Sequence, residues 1–186
     1  LLVALIFRSF GQAFLMLPMI IVGLFCAILG HGIEDALQGS RIVPVSILSI
    51  FGILALIGVI VNDTVIFLNK FNLLIAEGYN MKKAVFEAGI ARFRAIVLTS
   101  ITTVVGLYPI ILEQSFQAEF LKPLAISMAY GVLFGTTFIL VSFPAYIMIA
   151  NDMRRGTTFL LKGVWKKAEE VEPAYVEKKR LAELEE

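Results

Sequence analysis

The chain has almost none of the residues that build disulfides, metal centres or common active sites. Of its 186 residues, one is cysteine and one is histidine. Cys26 has no partner for an intrachain disulfide or a cysteine metal site, and a lone histidine such as His31 is more often a loop residue than a metal ligand. The sequence also lacks a nucleophile–base pattern, a glycine-rich phosphate loop and a His-Glu-x-x-His motif. We therefore expect no metal, no organic cofactor, no enzymatic activity and no nucleic-acid partner.

Charge is scarce as well. Only 17% of the residues are charged, 59% are hydrophobic and the mean hydropathy is +0.87, whereas an ordinary soluble domain is roughly 45 to 50% apolar. This composition predicts a membrane protein. Residues 1–7 are apolar but stop at Arg8, which is too short for a span of about twenty residues. No basic segment precedes them, as a signal peptide requires, so we expect a remnant helix and a piece of a longer protein.

Four longer apolar runs have spanning length, at residues 13–29, 45–68, 95–112 and 124–150. Lipid offers no hydrogen bonds to the backbone, so each run is predicted to be a helix. Asn80 is positioned to cap a short amphipathic helix lying along the cytoplasmic surface before the third run. The predicted fold is an all-α membrane protein. Residues 1–155 would hold four full transmembrane helices plus the end of a fifth, and 156–186 an amphipathic, charged, helical tail.

The basic residues predict how the four spans are oriented. Basic residues concentrate in cytoplasmic loops, which places the C-terminus in the cytoplasm. Two basic residues, Arg41 and Lys122, fall on the outer side of a four-span arrangement. Eight fall on the inner side: Arg8, Lys70, Lys82, Lys83, Arg92, Arg94, Arg154 and Arg155. The outer loops, at residues 31–43 and 113–122, are predicted to be short.

The most informative residues are Asn62 and Asp63, inside the second apolar run. An ionisable residue at that depth costs roughly 2.5 to 3.5 kcal/mol on insertion scales, so it usually faces a partner or a water path and belongs to transport. Gly58, one turn before Asn62, gives this helix a small-residue position suited to close helix contact. The alternative is that Asn62 and Asp63 only bond neighbouring helices, with Asp63 protonated or paired to an arginine.

The third run offers partners for these residues. Arg92, Thr99, Thr103 and Gly106 share one helix face by spacings of seven, four and three, and Gly106 is predicted to serve helix packing. A face lined with hydroxyls can pass protons or hold water. Alternatively, each hydroxyl bonds the carbonyl one turn earlier in its own helix. In the fourth run, Gly131 and Gly135 form a small-xxx-small pair that predicts close helix packing.

Several motifs together resemble one transporter family. They are GVIVNDTVIFL from Gly58, Glu77-Gly, ARFR from Ala91, TSITTVVGLYP from Thr99 and FLKPLAISMAYG from Phe120. In this order and spacing, over about residues 1–155, they resemble the C-terminal membrane quarter of resistance-nodulation-division transporters, most closely the drug and hydrophobe exporters. Protein-export accessory relatives of the same superfamily and metal-ion pumps are more distant candidates. A structural or assembly membrane protein that transports nothing is the alternative from another class.

The resemblance implies a role for particular residues. Asn62 and Asp63 would occupy the proton-relay position, and Arg92 and Thr99 match residues that line the relay, with Thr103 on the same face. The coupling ion would be H⁺. Two positions depart from the family pattern: Asn62 replaces a lysine that is common in drug pumps, and Ala95 replaces a common proline.

The resemblance also implies a setting. The parent would be a homotrimer in the bacterial inner membrane that exchanges inward-moving protons for exported hydrophobic or amphiphilic compounds. This chain would pair with an N-terminal half and periplasmic domains that it lacks. The full assembly would include a periplasmic adaptor and an outer-membrane channel.

Overall fold

A computed structural model describes residues 10–38, 45–163, 165 and 167–185. In these segments every regular element is helical and no strand is found. The α-helices are α1 (Phe10–Phe14), α2 (Leu17–Gln38), α3 (Ile47–Ala76), α4 (Met81–Leu112), α5 (Phe116–Lys162) and α6 (Pro173–Glu185), and a 3₁₀ turn spans Glu169–Val171.

Four segments are long and apolar enough to cross a membrane: Gly11–Leu37, Ile47–Ala76, Met81–Leu112 and Phe116–Leu160. The predicted all-α membrane fold with four spans is therefore confirmed for the described residues. The remnant helix at residues 1–7, together with Arg8 and Arg41, lies outside them.

The helices extend beyond the apolar runs that predicted them. Helix α2 continues to Gln38 and α5 begins at Phe116, so the predicted loops at 31–43 and 113–122 are wrong for residues 31–38 and 116–122. His31 is not a loop residue, because it lies inside α2 and is buried. Polar residues mark the ends of the apolar runs, but the helix continues through His31 and Glu34 because both find hydrogen-bond partners inside the helix bundle.

The predicted surface helix is not a separate element. Asn80 is the N-cap, as predicted, since its Oδ1 accepts a hydrogen bond from the Lys83 amide at 2.9 Å. From Met81, however, the helix runs without interruption to Leu112. No glycine or proline lies at the Arg94–Ala95 junction to break it. The position of its first part at a membrane surface stays a prediction.

The chain divides into two compact units, each described separately. The first contains Met16–Thr64 and Arg94–Leu140. In it, α5 contacts α2, α3 and α4. Gly23 and His31 of α2 face Gly135 and Ser127 of α5, so these helices are antiparallel.

Helix α3 runs parallel to α5 in this unit. Leu56 and Ile60 of α3 lie against Gly131 and Gly135 of α5, and both numbers rise together along the two helices. Helix α4 runs antiparallel to α5. Its residues Ser100 and Ile111 contact Thr136 and the Ala125–Ala129 region, respectively. These directions are those of successive membrane crossings.

The second unit contains residues up to Leu15, Val65–Phe93 and Val141–Glu186. The Phe67 and Phe143 rings meet edge to face with centroids 5.3 Å apart, a favourable aromatic geometry. Gln12 and Asn72 exchange two amide hydrogen bonds of 2.8 and 3.0 Å. The C-terminal segment, residues 167–185, packs in this unit. Pro173 begins α6, and proline suits the first turn of a helix.

Candidate functional site

Asp63 lies in the interior of the first unit. Only 6% of the residue is exposed, and its Oδ2 atom is buried without a hydrogen-bond partner among the described residues. A buried carboxylate that lacks a partner is costly. The energy of the bundle around Asp63 therefore depends on whether this carboxyl carries a charge.

Helix periodicity explains why Asp63 points inward. Leu56, Ile60 and Asp63 are spaced by four and three residues, so they share one face of α3. Leu56 and Ile60 are fully buried and lie against the glycines of α2 and α5. This face is thus the one that packs inside the bundle, and it places a carboxyl next to a tightly packed apolar layer.

A pair of hydroxyls lies near the same level of the bundle. Ser100 of α4 and Thr136 of α5 are 2.9 Å apart and both buried. Thr136 follows Gly135, which Ile60 contacts, and Ile60 lies about 4.5 Å along α3 from Asp63 at 1.5 Å per residue. Each hydroxyl oxygen also lies within hydrogen-bond distance of a carbonyl of its own helix, that of Ile96 for Ser100 and that of Val132 for Thr136.

The predicted relay residues do not form one hydrogen-bonded cluster. Asn62 is exposed, because adjacent helical residues point in directions about 100° apart. Thr99 is also exposed and donates to the carbonyls of Ala95 and Ile96 in its own helix, as the packing alternative proposed. Thr103 is half-buried. Within the described residues, no side-chain hydrogen bond joins Asn62, Asp63, Thr99 and Thr103.

Arg92 belongs to the second unit and is half-buried, and its buried Nε has no hydrogen-bond partner within the described segments. The proposed proton-relay role stays a prediction for all five residues: Asn62, Asp63, Arg92, Thr99 and Thr103. In the first unit, Asp63 carries a buried carboxyl oxygen that has no hydrogen-bond partner among the described residues.

The four predicted packing glycines fall into two classes. Gly131 and Gly135 are buried; a Cβ added to Gly131 would meet Leu56, and one added to Gly135 would lie 3.6 Å from the Cα of Gly23. Gly58 and Gly106 are exposed, and no described atom lies within 4 Å of a Cβ added there. A packing role for this second pair stays a prediction.

Two polar contacts between α2 and α5 were not predicted. His31 Nε2 lies 2.8 Å from Ser127 Oγ, and the Tyr130 hydroxyl donates to Glu34 Oε2 at 2.7 Å. The spacing of the residues gave no signal for these pairs, because residue numbers fall along one antiparallel helix as they rise along the other, and Tyr130 reaches along α2 from Gly30 to Glu34. Gly30 permits the close approach, because a Cβ there would meet the Tyr130 side chain.

We expect the Ser100–Thr136 contact to make a small but measurable contribution to stability. Interhelical hydrogen bonds in membranes contribute about 0.6 kcal/mol on average and at most about 1.7 kcal/mol. A double-mutant cycle of Ser100→Ala and Thr136→Val, measured by unfolding in detergent, should give a coupling energy in that range. Thr102→Ala is the control, since Thr102 is exposed and, within the described part of the chain, bonds only carbonyls of its own helix. A coupling energy of zero would show that the contact contributes nothing to folding.

Comparison with known proteins identifies the family. A family model described as the AcrB/AcrD/AcrF family matches residues 1–150. Multidrug resistance protein MdtC of Erwinia tasmaniensis is 27% identical over 118 residues, which are 63% of this chain and 12% of the relative. Multidrug resistance protein MdtC of Pantoea ananatis is 29% identical over 114 residues, or 60% of this chain and 11% of the relative.

A relative named for metal resistance has a similar identity. Cobalt-zinc-cadmium resistance protein CzcA of Cupriavidus metallidurans is 29% identical over 126 residues, which cover 64% of this chain and 12% of the relative. No solved structure matches the chain significantly. The chain thus spans about an eighth of the length of these relatives. Because the family model covers most of the sequence, the chain belongs to the AcrB/AcrD/AcrF family of resistance-nodulation-division transporters.

Proposed function

We propose that this chain supplies membrane helices of a proton-driven exporter, and that Asp63 carries the coupling proton. One observation carries the proposal: in a transporter of this family, a carboxyl oxygen is buried within a spanning helix without a hydrogen-bond partner among the described residues. Ionisable residues inside membrane spans mark ion and proton pathways.

The proposed role of Asp63 follows from the chemistry of a buried carboxyl. The neutral form can donate one hydrogen bond, whereas the ionised form only accepts and requires a compensating partner. Proton gain and loss therefore favour different arrangements of the surrounding helices. Asn62, Arg92, Thr99 and Thr103 would complete the proton path with parts of the transporter that are outside this chain.

We propose hydrophobic or amphiphilic compounds as the exported substrates. Support comes from the relatives named as multidrug resistance proteins and from the motif resemblance to drug exporters. Export of divalent metal ions is the second candidate, since a relative named for cobalt, zinc and cadmium resistance has a similar identity. Substrate selection would take place largely in parts of the parent protein outside this chain.

We further propose the setting that the family resemblance implies. The chain would lie in a bacterial inner membrane with its C-terminus in the cytoplasm, and the coupling ion would be H⁺. The parent would act as a trimer with a periplasmic adaptor and an outer-membrane channel. The alternatives remain a protein-export accessory relative and a structural or assembly membrane protein that uses its polar residues only for helix contacts.

Transport in proteoliposomes tests the proposal. The full-length parent is reconstituted with a trapped pH indicator, a pH gradient is imposed, and proton flux is followed after addition of an amphiphilic cationic dye or of Zn²⁺. We expect the dye to accelerate proton flux and Zn²⁺ to have no effect. Acceleration by Zn²⁺ alone would favour the metal-ion exporter. If neither compound changes the flux, the parent is not a proton-coupled exporter of either class.

A further inference from the structure

In the turn between α3 and α4, the Ala76 carbonyl at the end of α3 and the Met81 amide at the start of α4 are bonded by residues from outside the turn. Helix α3 ends in a Schellman motif, in which Tyr79 N–H donates to Leu74 O at 3.1 Å and Gly78 N–H to Ile75 O at 3.0 Å. Gly78 has φ +94°, a backbone conformation that glycine adopts without strain. These bonds do not use the carbonyl of Ala76 or the amide of Met81, as is usual at helix ends.

The C-terminal segment supplies a partner for each of these groups. Glu169 Oε1 accepts a hydrogen bond from the Met81 amide at 2.8 Å, and Lys178 Nζ donates to the Ala76 carbonyl at 2.6 Å. The charges match the helix dipoles, with an anion at the start of α4 and a cation at the end of α3. The Met81 hydrogen bond lowers the pKa of Glu169, so the carboxyl is ionised at neutral pH.

The same segment is fixed to α5 through Glu172. Only 2% of Glu172 is exposed. Its Oε1 accepts from Asn151 Nδ2 at 2.6 Å and its Oε2 accepts from Arg154 Nη1 at 3.1 Å. Asn151 Nδ2 also donates to the Ala168 carbonyl at 2.7 Å. Burial raises the pKa of Glu172, against the opposing effect of the Asn151 and Arg154 hydrogen bonds.

We propose that Glu169, Glu172 and Lys178 form a releasable latch that holds the α3–α4 turn to the end of α5. Its two parts differ in exposure. Glu172 is the buried anchor, whereas Glu169 is half-buried and Lys178 is exposed, so the contacts to the turn can open while the anchor stays in place. The latch joins the end of α3 and the start of α4 to the last part of α5, and it restrains the movement of the turn relative to α5.

Amide hydrogen exchange of the full-length protein in nanodiscs, without substrate, tests the latch. We expect Glu169→Ala and Lys178→Met each to accelerate exchange in residues 77–84 by roughly fivefold to tenfold, the effect of losing about one hydrogen bond. Exchange in residues 173–185 should change little in these variants. Glu172→Ala should instead accelerate exchange in both regions, because it releases the anchor.

Two further variants make the test specific. Glu169→Gln keeps an oxygen that can accept from the Met81 amide and should restore most of the protection. Lys179→Met is the matched control, since Lys179 pairs with Glu183 on its own helix and should leave the turn unchanged. Unaltered exchange at 77–84 in both Glu169→Ala and Lys178→Met would overturn the latch. This readout does not depend on transport, so failure of the latch and failure of the proposed export function are distinguishable.

Discussion

Replacing Asp63 by asparagine in the full-length parent is expected to abolish proton-coupled export and leave the protein folded and inserted. Asparagine has nearly the same shape but cannot bind or release a proton. Since Asp63 Oδ2 has no hydrogen-bond partner in the described residues, the substitution breaks no contact of that atom. Positioned proton transfer typically contributes 10²- to 10⁴-fold to a rate, so we expect coupled transport to fall by roughly 10²-fold or more. Substrate-driven proton flux in proteoliposomes is the measurement.

A second carboxylate provides the control. Asp152 is exposed and pairs with Arg155 at 3.4 Å on the same helix, an arrangement worth little energy. Asp152→Asn should therefore transport at the rate of the unmodified protein. If Asp63→Asn also transports normally, Asp63 is not the proton carrier. If Asp63→Asn fails to fold, the result would instead favour the structural alternative, in which the residue serves only helix contacts.

Gly52→Ala is expected to be the most destabilising single-methyl substitution on α3. A Cβ at this position would lie 2.5 Å from the Leu124 carbonyl oxygen, 3.2 Å from its carbon and 3.0 Å from Ser127 Cβ. The obstacle is backbone, which cannot rotate away as the end of a side chain can, so α3 and α5 must separate. Overpacking of this kind costs about 1 to 3 kcal/mol. Chemical unfolding of the purified full-length protein in detergent measures the loss.

Gly58→Ala is the matched control, because it adds the same methyl group to the same helix. No described atom lies within 4 Å of a Cβ at Gly58, and alanine favours a helix over glycine by about 1 kcal/mol. We expect this variant to be as stable as the parent or slightly more stable. Equal damage from both substitutions would contradict the difference in packing seen here, and would show that another part of the full-length protein covers Gly58.

The hydrophobic pattern predicted the four spans, and it placed a carboxyl inside one of them without any tertiary information. Runs of about twenty apolar residues leave little alternative to a membrane helix. Asp63 is conspicuous in such a run because inserting an ionisable side chain into a membrane costs free energy. The N-cap role of Asn80 was equally readable, since the capping residue acts on its own neighbours. Helix ends were less accurate, because a polar residue such as His31 can continue a helix once a partner such as Ser127 accepts it.

The sequence by itself thus predicted the four spanning helices and the position of Asp63 within one of them. Only the tertiary structure decided which side of each helix faces protein. It selected Gly52 over Gly58 as a close contact, Ser100 over Thr99 as an interhelical hydroxyl, and the C-terminal glutamates as partners of α4 and α5. The physical reason is that lipid tails and a protein interior are similarly apolar, so hydrophobicity does not distinguish the two sides of a spanning helix.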